Sequence, residues 1–400
     1  MLSMHTSPLA QPGEGDSGGM NVYVRELASS LAQAGVVVDV FTRAWRAEVP
    51  EVVEVEPGLR VVHVPAGAHD LPKEELLGAV DEFTDGVLAR LRGAPVDAIH
   101  ANYWLSGIAG HRLKHELDLP LVSTFHTLAR VKAETGDPEP QRRVEAEVEV
   151  IACSDTITAA CAAEADDLVA HYGADPARIE IVPPGVLHAF FSPGEQGGAR
   201  TALGLDLARP VLLFVGRIQP LKGLDVAVGA LAEVVRRRPD AWLVAVGGPS
   251  GADGGTELDR VHGLVDRLGL NDNVRFVPPQ PHHLLSTYYR AADVVVVPSR
   301  SESFGLVALE ASACGTPVVA ASVGGLRTLV DDGHTGFLVD TREPHDFAAA
   351  IDSVLDDRSL AERLSRQAAA RAAGFTWSTT AARLRRLYAD LTSRQLVDCR

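Results

Sequence analysis

Short apolar runs rich in β-branched residues alternate with longer amphipathic segments along most of the chain. The alternation occurs in two series, one up to residue 188 and one from residue 210 onwards. Runs such as residues 61–64, 119–124 and 293–297 are typical of strands buried on both faces. Strands and helices that alternate in this way form a parallel sheet covered by helices. Because 400 residues exceed one ordinary core, the sequence predicts two α/β domains.

The domain boundary is predicted at residues 189–209, a glycine-bearing and initially irregular segment that separates the two series. This puts the first domain at residues 1–188 and the second at residues 189–374. A last amphipathic segment, residues 376–391, is predicted to be a helix that crosses back onto the first domain. The end of the chain, from about residue 375 to residue 400, would then belong to that domain.

Two local predictions concern the first domain. Residues 142–163 are predicted to be helical, with a strand-like break at residues 148–153, where the sequence becomes apolar. Residues 1–4 are predicted to be the tail of a strand whose beginning is missing or very short, since such strands usually have about five or six residues.

The charge balance is acidic, with 37 basic and 53 acidic residues and a net charge of −16. Such a molecule is repelled by nucleic acid and by anionic membrane surfaces, so neither is expected as its main partner. An anionic substrate would therefore need a local basic pocket. No apolar run approaches the roughly 20 residues of a membrane-spanning helix. No signal peptide is visible either, so the expected location is the cytoplasm.

The four cysteines are Cys153, Cys161, Cys314 and Cys399. Their spacing contains no Cys-x-x-Cys and no Cys/His metal pattern. They are therefore predicted to be reduced thiols.

Two glutamates, Glu302 and Glu310, are separated by seven residues in the segment PSRSESFGLVALE. A predicted strand precedes Glu302 and a predicted helix carries Glu310, so both lie near the carboxyl end of a strand. Ligands of open α/β sheets bind at that edge, and carboxylates accept hydrogen bonds from the hydroxyl groups of a sugar or ribose. The alternative is that Glu302 only complements the helix dipole while Glu310 is a solvated helix residue.

A pair of cations, Arg217 and Lys222, lies in the turn GRIQPLKG after the first strand of the second domain. In that position they would neutralise a diphosphate and favour its departure as a leaving group. Solvated surface charges are the alternative. However, the pairs Gly247-Gly248 and Gly324-Gly325 and the two glutamates fall at the same predicted edge, which favours one ligand site. The chain contains no Asp-x-Asp pair that could hold a divalent ion against a diphosphate.

A second anion site is predicted in the first domain, where the glycine-rich loop at residues 13–19 opens onto a helix N-terminus. Lys73, Tyr103, Arg142 and Arg143 could complete this site. Lys73 could equally be a helix-terminal lysine, and the two arginines could form an exposed helix face.

The same loop spells Gly-x-Gly-x-x-Gly at Gly13, Gly15 and Gly18, with Asp39 lying 21 residues beyond. This is the fingerprint of a dinucleotide site, which leaves a nicotinamide-dependent oxidoreductase open as an alternative. The fingerprint requires its first glycine directly after a strand, whereas prolines intervene here, so a nicotinamide is disfavoured.

Motifs along nearly the whole chain resemble those of the retaining GT-B glycosyltransferases of family 4. GRIQPLKG and PSRSESFGLVALEA carry the general resemblance. The segments SMHTSPLAQPGEGDSGGMNVYV, NYWLSG, FHTLARVK and YRAADVVVVPS are more specific and resemble the inositol phosphate glycosyltransferases of mycothiol biosynthesis. The resemblance implies two Rossmann-like domains with parallel sheets facing across a cleft. It also implies transfer of N-acetylglucosamine from UDP-GlcNAc to 1D-myo-inositol 3-phosphate, with retention and release of UDP.

The resemblance further implies roles for individual residues. The donor would be bound by Gln11, Pro12, Gly19, Arg217, Lys222, Gln280, Glu302 and Glu310. Inositol phosphate would be bound by His5, Asp16, Ser17, Gly18, Gly19, Met20, Asn21, Lys73, Tyr103, Thr127 and Arg142. The catalytic residues would be His126, Lys222 and Glu302. Lys222 would act on the diphosphate, Glu302 would face the donor sugar, and the His126 region would support positive charge at the anomeric carbon. Gln280 is expected to contact the uracil through its backbone, and a satisfied loop histidine is the alternative for His126.

The resemblance implies no cofactor for catalysis. It implies a homodimer and a structural magnesium ion near Tyr289, Arg290, Ala292 and Thr316. The sequence departs from the family at its start, where members have a few more residues before SMHTSP, which affects the expected position of His5. Two alternatives within the fold remain. One is a family 4 transferase with another acceptor, such as a sugar phosphate or a glycolipid, and the other is a protein that binds a nucleotide sugar without catalysis.

Overall fold

The computed structural model describes residues 1–13, 15–251 and 254–399, which divide between two units. Unit 1 consists of Met1–Ala10, Met20–Pro183 and Trp377–Arg400. Unit 2 consists of Gln11–Gly19 and Pro184–Thr376. The glycine-rich loop therefore belongs to unit 2, although it is flanked in the sequence by residues of unit 1.

Unit 1 is built on seven strands within its described residues. They are β1 (Val38–Arg43), β2 (Val52–Glu56), β3 (Leu59–Val64), β4 (Ile99–Asn102), β5 (Leu121–Thr124), β6 (Thr156–Ala159) and β7 (Ile179–Ile181). One sheet has the order β1-β3-β2 and the other the order β4-β5-β6-β7, and only the β2–β3 pair is antiparallel. Leu2 forms parallel bridges to both Phe41 of β1 and Ala101 of β4, so the first residues of the chain link the two sheets.

Six α-helices lie in the described residues before Pro183. They are α1 (Gly19–Gln33), α2 (Val80–Leu91), α3 (Trp104–Leu117), α4 (Ala129–Glu134), α5 (Gln141–Cys153) and α6 (Ala162–Tyr172). A 3-10 helix, Lys73–Ala79, leads into α2. The buried side chains of α2 and α3 pack with Leu2, Met4 and Phe41 in one hydrophobic core.

Unit 2 contains a single six-stranded sheet in which every pair is parallel. Its strands are β8 (Val211–Val215), β9 (Trp242–Val246), β10 (Val274–Val277), β11 (Val294–Val297), β12 (Val318–Ala321) and β13 (Gly336–Val339). The order is β10-β9-β8-β11-β12-β13, so the chain builds outward from β8 first in one direction and then in the other. A parallel sheet of this kind binds ligands at the carboxyl ends of the strands, where its order reverses.

Eight α-helices accompany this sheet in the part of unit 2 that the structure describes. They are α7 (Gln196–Leu203), α8 (Leu224–Val235), α9 (Gly254–Leu268), α10 (Leu285–Ala291), α11 (Leu306–Ala313), α12 (Leu326–Leu329), α13 (Pro344–Asp356) and α14 (Arg358–Ala372). Every residue of β11 is buried, which is the reason why its sequence is a continuous run of valines and does not alternate with polar residues. Among the described residues, no helix is both long and apolar enough to cross a membrane.

The last helix, α15 (Trp377–Leu391), packs in unit 1, as the amphipathic pattern predicts. The Thr380 hydroxyl donates to the carbonyl of Pro183 at 2.7 Å, and the Tyr388 hydroxyl lies 2.6 Å from Nδ1 of His100 in β4. The ring of Trp377 meets the edge of the Tyr23 ring in α1.

One local prediction was wrong. Helix α5 continues without a break to Cys153, and the expected strand is β6, which begins at Thr156. Val150 and Ile151 are buried while Val148 is exposed, so the apolar run follows helical spacing. Strand β2, which pairs antiparallel with β3, was not predicted from the sequence. The segment predicted to be a linker, irregular at its start, contains α7 in its later part.

Candidate functional site

Lys222 and Glu302 form an ion pair at the carboxyl ends of two neighbouring strands, β8 and β11. Lys222 Nζ donates to Glu302 Oε2 at 2.6 Å, and the two side chains are 22% and 17% exposed. Lys222 is the last residue of a 3-10 turn. The next residue, Gly223, has a φ of 71°, and this left-handed conformation turns the chain into α8. The structure thus joins a cation and a carboxylate that are 80 residues apart in the sequence.

The loop that carries Glu302 is supported by a glycine pair after β12. Gly325 N–H donates to the carbonyl of Glu302 at 2.9 Å. A Cβ on Gly324 would lie 2.1 Å from that same carbonyl oxygen, and one on Gly325 would lie 2.3 Å from Phe304 Cα. Both distances are shorter than any real contact, so only glycine fits, and the pair sets the position of the Glu302 loop.

Arg217, the second predicted cation, follows β8 and donates from Nη1 to Ser250 Oγ at 3.2 Å. Ser250 lies beyond Gly247 and Gly248 after β9, where a Cβ on Gly247 would fall 1.9 Å from the carbonyl oxygen of Gly216. The close approach of these two turns holds Arg217 at the sheet edge. A Cβ on Gly18 of the glycine-rich loop would lie 3.1 Å from Arg217 Nε, so this loop also contacts the arginine.

Glu310 is buried in α11, and both its oxygens are hydrogen-bonded. His282 Nε2 lies 2.7 Å from Oε1, and the Tyr289 hydroxyl donates to Oε2 at 2.9 Å. Burial, and then the Glu310 carboxylate, raise the pKa of Tyr289 well above its usual value, so the hydroxyl remains a donor. Because each carboxylate oxygen can accept more than one hydrogen bond, Glu310 can still receive a ligand hydroxyl.

His282 was not among the residues predicted from the sequence, and Tyr289 was predicted only as part of a metal site. The signal for His282 was present, since it follows β10 at the same sheet edge as the other site residues.

The remaining predicted donor residues lie in two loops of unit 2. Gln11 Nε2 donates to the carbonyl of Pro279 at 3.2 Å, and Pro12 is partly buried beside it in the sequence. Gln280 Nε2 donates to the carbonyl of Pro278 at 2.9 Å, so its side chain folds back on its own turn. Gly19 is the first residue of α1, and a Cβ there would lie 3.5 Å from Leu306.

In unit 1, Tyr103 brings several predicted acceptor residues together. Its ring centroid lies 4.3 Å from that of His5, and the ammonium group of Lys73 lies 5.6 Å from the ring centre. The Arg143 guanidinium lies 5.0 Å from the same ring and donates to the Tyr103 hydroxyl at 3.1 Å. Tyr103 has a φ of 76°, which is unusual for a residue other than glycine and is often found at functional sites.

The two adjacent arginines have different environments. Arg143 is buried, pairs with Glu147 at 2.8 Å, and donates to both the carbonyl and the hydroxyl of Thr127 at 2.9 and 3.0 Å. It therefore holds Thr127 in place. Arg142 is exposed and donates at 2.6 Å to the carbonyl of Glu74, the residue after Lys73, so Arg142 and Lys73 lie in the same region.

His126 follows β5 with a φ of 62°, and its Nε2 lies 3.0 Å from Asn102 Oδ1 at the end of β4. The Tyr23 ring meets its ring edge-on at a centroid distance of 4.8 Å. Burial lowers the pKa of His126 to about 3, so the imidazole is neutral near pH 7. A neutral imidazole beside a strand end can stabilise a cationic centre, which an imidazolium would repel.

The predicted acceptor residues from Asp16 to Met20 form the end of the glycine-rich loop and the first turn of α1. Gly13 N–H donates to the carbonyl of Ser17 at 2.9 Å, which closes the loop. Asn21 is buried, and its Nδ2 donates to Thr6 Oγ1 at 2.8 Å and to the Ser7 carbonyl at 2.6 Å. Asn21 thus fixes the segment that follows His5.

The residues of the predicted metal site supply oxygen atoms, which are the ligands that Mg²⁺ prefers. The Thr316 hydroxyl and the Tyr289 carbonyl are 2.7 Å apart. The Ala292 carbonyl accepts from Gln196 Nε2 at 3.0 Å. The Arg290 guanidinium donates to the carbonyl of Ser192 at 2.8 Å, so only the main-chain oxygen of Arg290 could face an ion.

The prediction that all four cysteines are reduced is wrong for two of them. Cys153 and Cys399 form a disulfide, whereas Cys161 and Cys314 are buried thiols outside it. The spacing along the sequence shows no Cys/His metal pattern, but His111, His115, Cys153 and Cys399 place their ligand atoms within 4.8 Å of one another in the structure. The two cysteines are 246 residues apart, so their spacing could not indicate the contact.

Two Rossmann-like units, each with cations, glycine turns or carboxylates at the carboxyl ends of parallel strands, define the GT-B class of glycosyltransferase. Comparison with known families agrees. Residues 18–185 match the glycosyl transferase 4-like domain, and residues 198–371 match the glycosyl transferases group 1.

Curated relatives identify the family within this class. The chain is 49% identical to the D-inositol 3-phosphate glycosyltransferase of Actinosynnema mirum, over 95% of this chain and 94% of the relative. It is 51% identical to the protein of the same name from Geodermatophilus obscurus, over 95% of this chain and 86% of the relative. The chain belongs to the family of D-inositol 3-phosphate glycosyltransferases.

Solved structures show the same fold. Sucrose-phosphate synthase from Thermosynechococcus elongatus is 34% identical, with a TM-score of 0.91 and coverage of 98% of both chains. HepE from Anabaena, solved in complex with UDP and glucose, is 22% identical, with a TM-score of 0.79 over 98% of this chain and 99% of that one.

Proposed function

We propose that this glycosyltransferase moves N-acetylglucosamine from UDP-GlcNAc to 1D-myo-inositol 3-phosphate with retention of the anomeric configuration, releasing UDP, as the first step of mycothiol biosynthesis. The observation that carries the proposal is the group of Arg217, the Lys222–Glu302 pair and buried Glu310 at the point where the order of the unit 2 sheet reverses. Family membership supports the choice of acceptor.

For the donor, Arg217 and Lys222 would bind the diphosphate, and Glu310 would accept from the ribose hydroxyls. His282 and Tyr289 orient the Glu310 carboxylate by hydrogen bonds of 2.7 and 2.9 Å, so little rotamer freedom remains to be lost on binding. Glu302 would face the sugar while its pairing with Lys222 keeps both side chains at the sheet edge. Gln11, Pro12, Gly19 and the backbone of Gln280 would complete the donor site.

For the acceptor, an inositol phosphate would find two cations, Lys73 and Arg142, together with the N–H groups at the start of α1. The Tyr103 ring lies beside His5 and Lys73, and its hydroxyl accepts a hydrogen bond from Arg143. Thr127, fixed by Arg143, would supply a hydroxyl. The remaining members proposed for this site are Asp16, Ser17, Gly18, Gly19, Met20 and Asn21.

The proposed reaction is a front-side displacement. The bond between the anomeric carbon and the UDP phosphate oxygen breaks, and the bond to the acceptor hydroxyl oxygen forms on the same face. The departing phosphate oxygen takes the acceptor proton, so no enzyme nucleophile is needed. Arg217 and Lys222 would stabilise the negative charge that develops on the diphosphate. The neutral His126 and its main-chain carbonyl would support the positive charge on the sugar.

This chemistry uses no cofactor, because the diphosphate is already an activated leaving group. A magnesium ion would be held by oxygens of Tyr289, Arg290, Ala292 and Thr316, where it would strengthen the fold without touching the donor. The proposal also includes a homodimer and a cytoplasmic location.

A UDP-release assay tests the function. The protein is given UDP-GlcNAc with inositol 3-phosphate, free inositol or no acceptor, and the anomeric configuration of the product is read by NMR. The proposal requires rapid UDP release only with inositol 3-phosphate and an α-linked product. Equal release with all acceptors, or none with inositol 3-phosphate, would contradict it. A thermal-shift comparison of UDP with NAD checks the oxidoreductase alternative, since only a ligand of the native state raises the melting temperature.

A second candidate acceptor is a sugar phosphate. The 34% identity with sucrose-phosphate synthase over 98% of both chains favours it over a glycolipid. Glucose 6-phosphate and fructose 6-phosphate belong in the same panel, and a rate above that with inositol 3-phosphate would transfer the proposal to them.

A further inference from the structure

A second group of chemically active side chains lies in unit 1, outside every site described above. It consists of His111, His115, Cys153 and Cys399, called here the His–Cys cluster, whose ligand atoms all lie within 4.8 Å of one another. We propose that, with its cysteines reduced, the His–Cys cluster binds one zinc ion with tetrahedral Cys₂His₂ coordination. The proposal does not depend on the proposed transferase reaction.

The distances in the cluster suit this geometry. Cys399 Sγ lies 3.2 Å from His115 Nε2 and 3.9 Å from His111 Nε2, and Cys153 Sγ lies 3.4 Å from His115 Nε2. Zinc bonds of about 2.3 Å to sulfur and about 2.0 Å to nitrogen at tetrahedral angles place sulfur and nitrogen ligands about 3.5 Å apart. The observed sulfur–nitrogen separations bracket this value. The two sulfurs are bonded to each other in the structure, so after reduction they would have to move about 3.8 Å apart to coordinate one ion.

Regular structure positions three of the four ligands. His111 and His115 are four residues apart in α3, so their side chains lie on the same face of the helix. Cys153 is the last residue of α5, which packs against α3. These positions come from the two helices themselves and do not depend on the end of the chain.

The fourth ligand is brought in by a buried ion pair. Lys114 Nζ donates to Asp155 Oδ1 at 2.9 Å and to the Cys153 carbonyl at 2.8 Å, and both charged side chains are almost fully buried. The N–H of Val397 donates to the same Asp155 oxygen at 2.7 Å. This hydrogen bond fixes the segment after α15 at Val397, two residues before Cys399. It therefore places the Cys399 sulfur beside α3 and α5.

The surroundings meet two further requirements of a metal site. Glu149 Oε1 lies 3.6 Å from His111 Nδ1, where a carboxylate can orient the imidazole of a metal ligand. His111 and His115 also line a surface pocket of about 550 Å³ with Ile108, Arg112, Glu116 and Glu149, which gives an ion a path from solvent.

The chemistry of the ligands selects the metal. Two thiolates and two imidazoles suit zinc, whereas magnesium and calcium prefer oxygen ligands. Two thiolates also balance the charge of the ion, so a neutral centre forms beside the buried Lys114–Asp155 pair.

The disulfide of the structure and the zinc site are two states of the same sulfur pair. A phosphine supplies two electrons and is oxidised to its oxide, while water supplies the oxygen of that oxide and two protons, so the sulfur–sulfur bond breaks and two thiols form. Each thiol then loses its proton when Zn²⁺ binds. Cys399 is bonded to Cys153 in the disulfide state, and both would bind the same ion in the zinc state, so the end of the chain is linked to α5 in either case.

The test uses the full chain, reduced with a phosphine and freed of metal, and titrated with Co²⁺ and then Zn²⁺. Tetrahedral cobalt with thiolate ligands gives intense visible absorption that zinc removes. We expect one equivalent of Co²⁺ per chain, displaced by one equivalent of Zn²⁺. Cys399→Ser and His111→Asn should each weaken binding at least about 100-fold, since each removes a direct ligand. The matched controls are Cys161→Ser and His262→Asn, a buried cysteine and an exposed histidine outside the cluster, which should bind as the unmodified chain does.

Two results would overturn the proposal. One is a reduced protein with native circular dichroism that takes up no Co²⁺, and the other is unchanged affinity in both Cys399→Ser and His111→Asn. Because Cys399 is in the terminal segment and no helix or strand contains it, its substitution tests the ligand without threatening the fold. A zinc chelator should lower the melting temperature of the reduced protein by about 5 °C and leave that of Cys399→Ser unchanged. All these readouts are independent of UDP release, so they remain decisive if the transferase assignment fails.

Discussion

Replacing Lys222 with alanine removes the cation that the proposed mechanism uses to stabilise the leaving UDP. Lys222 Nζ lies 2.6 Å from Glu302 Oε2, and about a fifth of each side chain is exposed. For such a partly buried pair an effective dielectric of about 20 applies, and unit charges about 4 Å apart interact by about 4 kcal/mol. A phosphate oxygen in contact with the ammonium group would gain a similar amount.

Only the part of this interaction that grows during the reaction changes the rate. The phosphate oxygen acquires between half and one negative charge as its bond to the sugar breaks, so about 2–4 kcal/mol is lost with the lysine. This corresponds to a fall in kcat of about 30- to 1,000-fold. The Michaelis constant for UDP-GlcNAc should rise much less, because the ground-state diphosphate also contacts Arg217 in the proposal.

Steady-state UDP release at saturating donor and acceptor measures this effect, with the melting temperature as a check on folding. Lys222→Ala also leaves Glu302 without its partner, and repulsion from that carboxylate could slow the reaction by itself. The double variant Lys222→Ala/Glu302→Gln separates the two causes. The leaving-group role requires the double variant to be no faster than Lys222→Ala, whereas unpaired charge predicts recovery. A folded Lys222→Ala protein with kcat within about threefold of the unmodified enzyme would refute the reasoning.

Three further predictions follow from the described contacts. Arg142→Ala should raise the Michaelis constant for inositol 3-phosphate about tenfold or more and leave that for UDP-GlcNAc nearly unchanged, and an equal rise in both would contradict its placement in the acceptor site. Gly325→Ala should lower the free energy of unfolding by about 1–3 kcal/mol in denaturant titration, since the new Cβ would lie 2.3 Å from Phe304 Cα; Gly255→Ala, with open space around it, is the control and should cost nothing. His126 has its pKa lowered to about 3, so its neutral form stabilises the fold fully above about pH 6.5. As the pH falls from there towards 3, the unfolded chain binds a proton that the folded protein does not bind, and the free energy of unfolding falls by up to about 1.4 kcal/mol per pH unit. A His126→Gln variant whose free energy of unfolding depends on pH in the same way would contradict this.

Much of the fold could be predicted because its strands are buried on both faces. β11 is four consecutive valines, and no amphipathic helix has that pattern. The prediction failed where a short apolar run suits either structure. The segment before Cys153 contains Val148, Val150 and Ile151, and only its packing, with Val148 exposed and the other two buried, shows that it is helical.

For the site, the predicted strand ends placed Arg217, Lys222 and Glu302 at one edge of a parallel sheet, and the structure brings Lys222 and Glu302 into contact. The sequence did not indicate that His282 would orient Glu310, because a hydrogen bond between two distant elements depends on the exact positions of both. It also could not distinguish the neighbours Arg142 and Arg143. Only tertiary packing shows that Arg143 is buried against Glu147 while Arg142 is exposed.

The sequence by itself determined the alternation of strands and helices, the edge at which polar residues gather, and the family. All three follow from local periodicity and from motifs, which act over a few residues at a time. Only the tertiary structure decided which distant side chains meet. Cys153 and Cys399 are 246 residues apart, and they meet because the chain end returns to unit 1 and bonds to the buried Asp155. Contacts of this range arise from the packing of whole elements, so no spacing within the sequence could reveal them.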